Sequence, residues 1–340
     1  MNPPENGQRT RVAIACQGGG SHTAFTAGVL QRFMEGLPDD VDLVALSGTS
    51  GGAICATLAW EGLLHADPAR AARKLVSYWR AISARDPADR LMNHALMAMM
   101  GLRDMMVLPE ISPYRLPTWG EDRFRKVLAD HLDFEELRDL ATRPGAPVLQ
   151  IGAVEVLTGH FEAFSGEELT PDVLLASAGI PEFFRAVHLP ERGVFWDGLF
   201  SQNPPIHDLI DEVLDELWLI QINSSTCSRV PTETHEIMDR RNALSGNLSM
   251  EQELAFIDFL NRSIQAGRLT GTGLRPIRVS RIALDRELGY RTKLDRRPEL
   301  IEELMEYGRA KGRWFLKQRS IERVSRLLPT EQAPMQEQIH

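Results

Sequence analysis

Cysteine is nearly absent: the 340-residue chain has three, Cys16, Cys55 and Cys227, and no two form a C-x-x-C pair. That excludes a disulfide framework and a structural zinc site, and it suits a reducing compartment. Cys55 reads as a small buried apolar side chain. The histidines show no H-x-x-x-H spacing, so no metal and no cofactor is expected. No apolar run approaches the roughly 20 residues that span a bilayer. The polar residues 1–7 lack the basic-then-apolar order of a signal peptide, and the cytoplasm is the expected location. Positive charge is short as well. Lys and Arg total 38 against 47 Asp and Glu, a net charge of −9. Such a balance argues against a nucleic-acid partner and against broad adsorption to anionic membranes. There is no internal repeat and no Gly/Ser linker, so one domain over residues 1–328 is expected, followed by a polar, disordered tail at 329–340.

What is present reads as an α/β chain long enough to bury a large core. Residues 11–16 are continuously apolar, as in a strand buried on both faces. Gln17-Gly18-Gly19-Gly20 follows, then a helix over about 22–34, a strand over 41–46 and an apolar helix over 53–60. This β-α-β-α opening predicts a three-layer α/β/α fold with a mostly parallel central sheet. A helix is expected over about 68–83, short helices over 121–131 and 133–140, and a hairpin from strands 148–154 and 160–164. A short helix at 173–178, strands at 193–196, 217–222 and 276–284, and long helices at 250–266 and 298–317 complete the reading.

Three separated segments carry chemistry. Gly48-Thr49-Ser50-Gly51-Gly52 places a serine where a strand turns into a helix, a strained turn that lifts the hydroxyl into a cleft. The plainer alternative is a glycine turn packing helix on sheet. Gly18-Gly19-Gly20 ends one strand and precedes a helix, so its N–H groups and the helix's positive end can hold an oxyanion. Its rival is phosphate or dinucleotide binding. G-x-G-x-x-G would need glycine where Thr23 stands, and neither glycine segment holds the lysine of a Walker loop. Asp197-Gly198 ends a strand, where a carboxylate can take a hydroxyl proton, though Asp-Gly is also a common turn. For a Ser–Asp–His triad, His207 and His235 follow in the required order.

These residues match a family: the chain resembles the patatin-like phospholipases, serine acyl hydrolases with a Ser–Asp dyad. The similarity spans Gln17 to Leu30, the Ser50 elbow, Ala176-Ser177-Ala178-Gly179-Ile180-Pro181 with Phe183-Phe184, and Asp197-Gly198 with Asn203-Pro204. The resemblance implies Ser50 as nucleophile, Asp197 as base, Gly18, Gly19 and Gly20 as the oxyanion hole, and an acyl-serine intermediate without calcium. It implies a lipid or other acyl ester as substrate. Esters other than phospholipids, storage polyesters included, remain open, as does a lipid-binding pseudoenzyme on the same fold. Three positions depart from the family pattern. His22 stands where many members carry Arg or Lys, although a bacterial subgroup has histidine there. A proton on it could tune the loop near neutral pH, while capping or packing the helix is the plainer reading. Thr23 replaces a glycine. Leu199 fills a usually small position and narrows the pocket.

Two weaker signals remain. Met92, Met97, Met99, Met100, Met105 and Met106 could line an acyl channel or a lid, or pack an irregular core. Between Arg309 and Arg326 seven basic residues meet one acidic residue, with Trp314 and Phe315 between them: a peripheral membrane face or a solvated one.

Overall fold

The structure is a computed structural model that describes residues 9–105, 111–210, 213–286 and 288–327. In chain order its elements are β1 (Thr10–Cys16), α1 (Ala24–Met34), β2 (Val41–Thr49), α2 (Gly51–Leu64), α3 (Pro68–Ile82) and α4 (Pro87–Met105). Then come α5 (Trp119–Ala129), α6 (Phe134–Ala141), β3 (Val148–Glu155), β4 (Phe161–Ser165), α7 (Pro171–Ala178), β5 (Val187–Leu189) and β6 (Gly193–Asp197). The chain closes with β7 (Glu216–Gln221), α8 (Thr234–Gln265), β8 (Arg278–Ala283) and α9 (Pro298–Leu327).

The strands form one sheet in the order β5-β6-β3-β2-β1-β7-β8, with β4 paired to β3. From β3 to β8 the pairings are parallel, and β4, β6 and β5 add antiparallel pairings around β3. Period-two alternation sorts the side chains into two cores. Val12, Ile14, Leu46, Trp218 and Ile220 face a large core shared with α1, α2, α3 and α9. Ala13, Ala15, Ala45, Leu217 and Leu219 face a smaller one shared with Met250, Leu254 and Ile257 of α8. The expected three layers are therefore present. In the large core the ring of Phe315 on α9 lies 5.0 Å from Trp218 and 5.8 Å from Phe33.

The register of β3 brings distant residues together. Thr49 at the end of β2 pairs with Gly152, and the next residue of β3, Ala153, pairs with Asp197. Residues 151–154 of β3 are also paired with β4, so β2 and β6 lie along the same, opposite edge. The residue after Thr49 and the last residue of β6 must therefore be neighbours. That adjacency places Ser50 beside Asp197.

Several bounds differ from expectation. The segment after the glycines begins as a 3-10 turn, Gly20–Thr23, before α1. Helix α8 starts at Thr234 rather than near residue 250, and α9 runs on to Leu327. The methionine-rich stretch is a helix, α4, in which Met92 and Met99 are exposed and Met100 is buried. Met106, the side chain of Met105 and the expected tail at 329–340 lie outside the described residues.

Candidate active site

Ser50 caps the N-terminus of α2 with φ 56° and ψ −130°, a left-handed backbone that costs a non-glycine residue about 1–3 kcal/mol. The surroundings hold it there. Its N–H donates to Ser177 Oγ at 2.9 Å, and that hydroxyl donates to the Gly152 carbonyl at 2.7 Å. The following helix can start only because Gly52 has no side chain, since a Cβ there would collide with the Cys16 carbonyl. The positive end of α2 points at the serine.

Asp197 ends β6 and is 1% exposed. Its N–H donates to the Gly179 carbonyl at 3.2 Å, so the C-terminal end of α7 holds the backbone of both Ser50 and Asp197. One carboxylate oxygen accepts the Leu199 N–H at 2.8 Å. Burial pushes the carboxyl up to about 7, against the Leu199 N–H, the Ser50 hydroxyl and the charge of Lys293, while Glu182 adds to the rise. A carboxylate with a pKa near neutrality that lines the same cleft as a serine hydroxyl has the properties of a general base.

The glycine loop closes the other side. Gly18, Gly19 and Gly20 line the same cleft as Ser50, Asp197 and Leu199. Their N–H groups are not equivalent. That of Gly18 is taken up by Asn203 Oδ1 at 2.7 Å. Among the described residues those of Gly19 and Gly20 meet no protein acceptor. Asn203 is itself fixed, its Nδ2 donating to the Gly246 carbonyl of α8 at 3.3 Å. The Thr23 hydroxyl bonds the Gly20 carbonyl at 2.5 Å and so ties the loop to its own helix. The cleft is narrow, about 20 Å³, with Leu199, Ile180, Tyr290 and Leu294 among its walls.

His22 is buried and its Nε2 lies 2.7 Å from Thr292 Oγ1. Thr292 spends its one proton on the Gly289 carbonyl, so Nε2 carries the ring proton and donates. Burial and the nearby Lys293 push His22 down to about 3, with Asp295 opposing, so the ring is neutral near pH 7. Desolvation and a neighbouring cation thus disfavour a tuning proton on His22, and the buried ring packs against Thr292.

Residues raised as alternatives lie elsewhere. His207 and His235 are exposed, and neither lines the cleft. No methionine lines it among the described residues. Of the basic stretch, Arg309 pairs with Glu35, Arg313 with Glu306, and Lys311 with Asp285. Arg319 and Arg323 meet Asp40, and Arg319 also meets Glu216, which ties α9 to β7.

Two side chains escaped the sequence reading. Ser177 sat within a recognised segment, but only the fold shows its hydroxyl under the elbow. Lys293 had no signal at all. It lines the cleft from the 3-10 turn Tyr290–Leu294, and its carbonyl packs so closely on Gly20 that a Cβ there would collide. Burial pushes its ammonium down to about 8, against the pull of Asp197 and Asp239.

Comparison with known proteins follows the same lines. The family model described as patatin-like phospholipase matches residues 14–210, which contain Ser50, Asp197 and the glycine loop. No curated protein sequence matches the chain significantly. Among solved structures the chain is similar to VipD from Legionella pneumophila, at 15% identity and a TM-score of 0.43, covering 93% of this chain and 69% of that one. It is also similar to the type III effector protein ExoU, at 16% identity and a TM-score of 0.37, over 91% of this chain and 53% of that one. The ExoU–SpcU complex of Pseudomonas aeruginosa matches at 15% identity and a TM-score of 0.39, over 92% and 52%. The chain thus spans about half the length of ExoU. With the family model matching more than half of its length, this chain belongs to the patatin-like phospholipase family of lipid acyl hydrolases.

Proposed function

We propose that the chain hydrolyses acyl esters of lipids through a Ser50–Asp197 dyad. Ser50 Oγ attacks the ester carbonyl and its proton passes to Asp197. The oxyanion is held by the N–H groups of Gly19 and Gly20 and the positive end of α2, while Gly18 has the structural task of locking the loop to Asn203. The tetrahedral adduct expels the alcohol, which takes the proton from Asp197 and leaves an acyl-serine. Water then gives a proton to Asp197, its oxygen attacks the acyl carbon, and Ser50 leaves with that proton.

The observation that carries this reading is the pairing of a left-handed serine on a strand–helix turn with a buried carboxylate near neutrality. An occupied dyad also speaks against a pseudoenzyme. Three free cysteines, two of them buried, support placement in a reducing compartment such as the cytoplasm. No helix among the described residues is long and apolar enough to cross a membrane.

The test is release of fatty acid from a chain-length series of glycerophospholipids and simple acyl esters, wild type beside Ser50→Ala. Turnover of at least one series by wild type and none by the variant is the expected result. Equal turnover by both proteins overturns the assignment.

A further inference from the structure

Behind the wall formed by Tyr290 and Lys293 lies a larger cavity of about 250 Å³, and these two residues line both it and the cleft of Ser50. The volume is near the lower end for small-molecule sites, enough for a polar head and too small for a pair of acyl chains. Four cationic side chains, Arg229, Arg240, Arg286 and Lys293, line it against two carboxylates, Glu236 and Asp239.

Those cations differ in what already occupies them. Arg229 pairs with Glu236. Arg286 pairs with Glu303 at 2.5 Å and stacks on Tyr307 at 4.1 Å. Arg240 donates to the carbonyls of Ser224 and Ser225 at 3.2 and 3.0 Å. Lys293 donates to the neutral Asn223 Oδ1 at 2.6 Å and sits 5.2 Å from the centre of the Tyr290 ring. Among the described residues no carboxylate pairs with it, and Asp197 and Asp239 act on it only through space. It is also the one cation among the described residues that lines the cleft of Ser50. A half-buried ammonium with donors to spare, on the wall between a nucleophile and a cavity, is placed to hold an anion.

We propose that Lys293 is a specificity-determining residue, and that this cavity seats an anionic group, phosphate or carboxylate, carried by the ester whose carbonyl reaches Ser50. The proposal rests on the hydrolase reading above.

Binding separates this inference from the activity. Calorimetric titration of Ser50→Ala protein with decyl phosphate, below its aggregation limit, should show binding. Neutral decanol should bind more weakly, and inorganic phosphate weaker still. Adding Lys293→Met should weaken decyl phosphate at least about tenfold and leave decanol unchanged, while Lys293→Arg should retain most of the affinity. Equal weakening of both ligands by Lys293→Met would make the residue structural and overturn the proposal. So would unaltered decyl phosphate binding, or no binding at all. Inorganic phosphate binding as tightly as decyl phosphate would make the cavity a free-anion site and overturn the link to the ester. A wild type that hydrolyses no ester while the binding pattern holds would count against the dyad, not against the anion seat.

Discussion

The two walls of the cleft are built by different means. The elbow wall is made mainly from strand ends and main-chain contacts: Thr49 beside Gly152, Asp197 beside Ala153, and the Asp197 N–H on the Gly179 carbonyl. The Ser177 hydroxyl under Ser50 adds a long-range side-chain tie. The facing wall, from Gly289 to Arg297, is held by side chains reaching across the sequence. Asn93 of α4 donates to Asp295 at 2.9 Å and accepts the Arg296 N–H at 2.9 Å. Asp89 pairs with Arg296 at 2.9 Å and with Arg123 at 2.5 Å. The first wall fixes where Ser50 and Asp197 sit, because the sheet register cannot slip without exposing one face of a strand. The second carries the charge that decides what comes near them, and side-chain networks of this kind are easily altered.

The contrast can be broken first on the elbow side. Asp197→Asn should lower kcat by at least about 10³-fold with the melting temperature little changed, because the amide cannot take the Ser50 proton. A variant with near-normal kcat would remove Asp197 from the mechanism. On the facing wall the loss should appear as stability. Asp89→Asn strips the carboxylate from two guanidinium groups and should cost about 2 kcal/mol in urea unfolding at neutral pH. Burial pushes the Asp89 carboxyl up, yet hydrogen bonds from Arg123 and Arg296 outweigh it and bring the pKa to about 2. A depressed carboxylate stabilises the fold above its ordinary pKa, and that share is lost as pH falls towards about 2. Wild type and variant should therefore converge in stability in acid, and a gap that persisted there would contradict this origin.

The walls meet in the pH profile. In the proposed mechanism Asp197 takes a proton only when ionised, so kcat/KM should rise with pH through about 7. The positive charge of Lys293 lowers the Asp197 pKa, so Lys293→Met should move this rise to higher pH, and Lys293→Arg should leave it nearly in place. An unmoved limb in the Met variant would separate the two groups. The smallest effect is expected from His207→Ala and His235→Ala, less than about twofold in kcat/KM, because both side chains are exposed away from the cleft. A large loss in either, without unfolding, would revive a triad.

The same contrast explains what the sequence revealed. Strands buried on both faces and a glycine-flanked serine leave local patterns, so residues 11–16, 41–46 and the Ser50 elbow were readable. Helix α8 was read only where Met250, Leu254 and Ile257 are buried at helical spacing. Its first four turns carry Ile237, Leu244 and Leu248 exposed, so no amphipathic period marks them. The extension of α9 is secured by the buried ion pairs of Arg319, which in sequence is one more basic residue. Lys293, Ser177 and the Gly18–Asn203 clamp depend on pairs far apart in the chain, and no spacing rule reaches that far. The unequal glycine N–H groups belong to the same class.

The most direct test of the central claim is labelling with a fluorophosphonate probe, with the adduct mapped by mass spectrometry in wild type, Ser50→Ala and Asp197→Asn proteins. The account predicts one modified residue, Ser50, in wild type, no adduct in Ser50→Ala, and much slower labelling in Asp197→Asn. Folded wild-type protein left unlabelled at Ser50, or labelled as fast without Asp197, would contradict it.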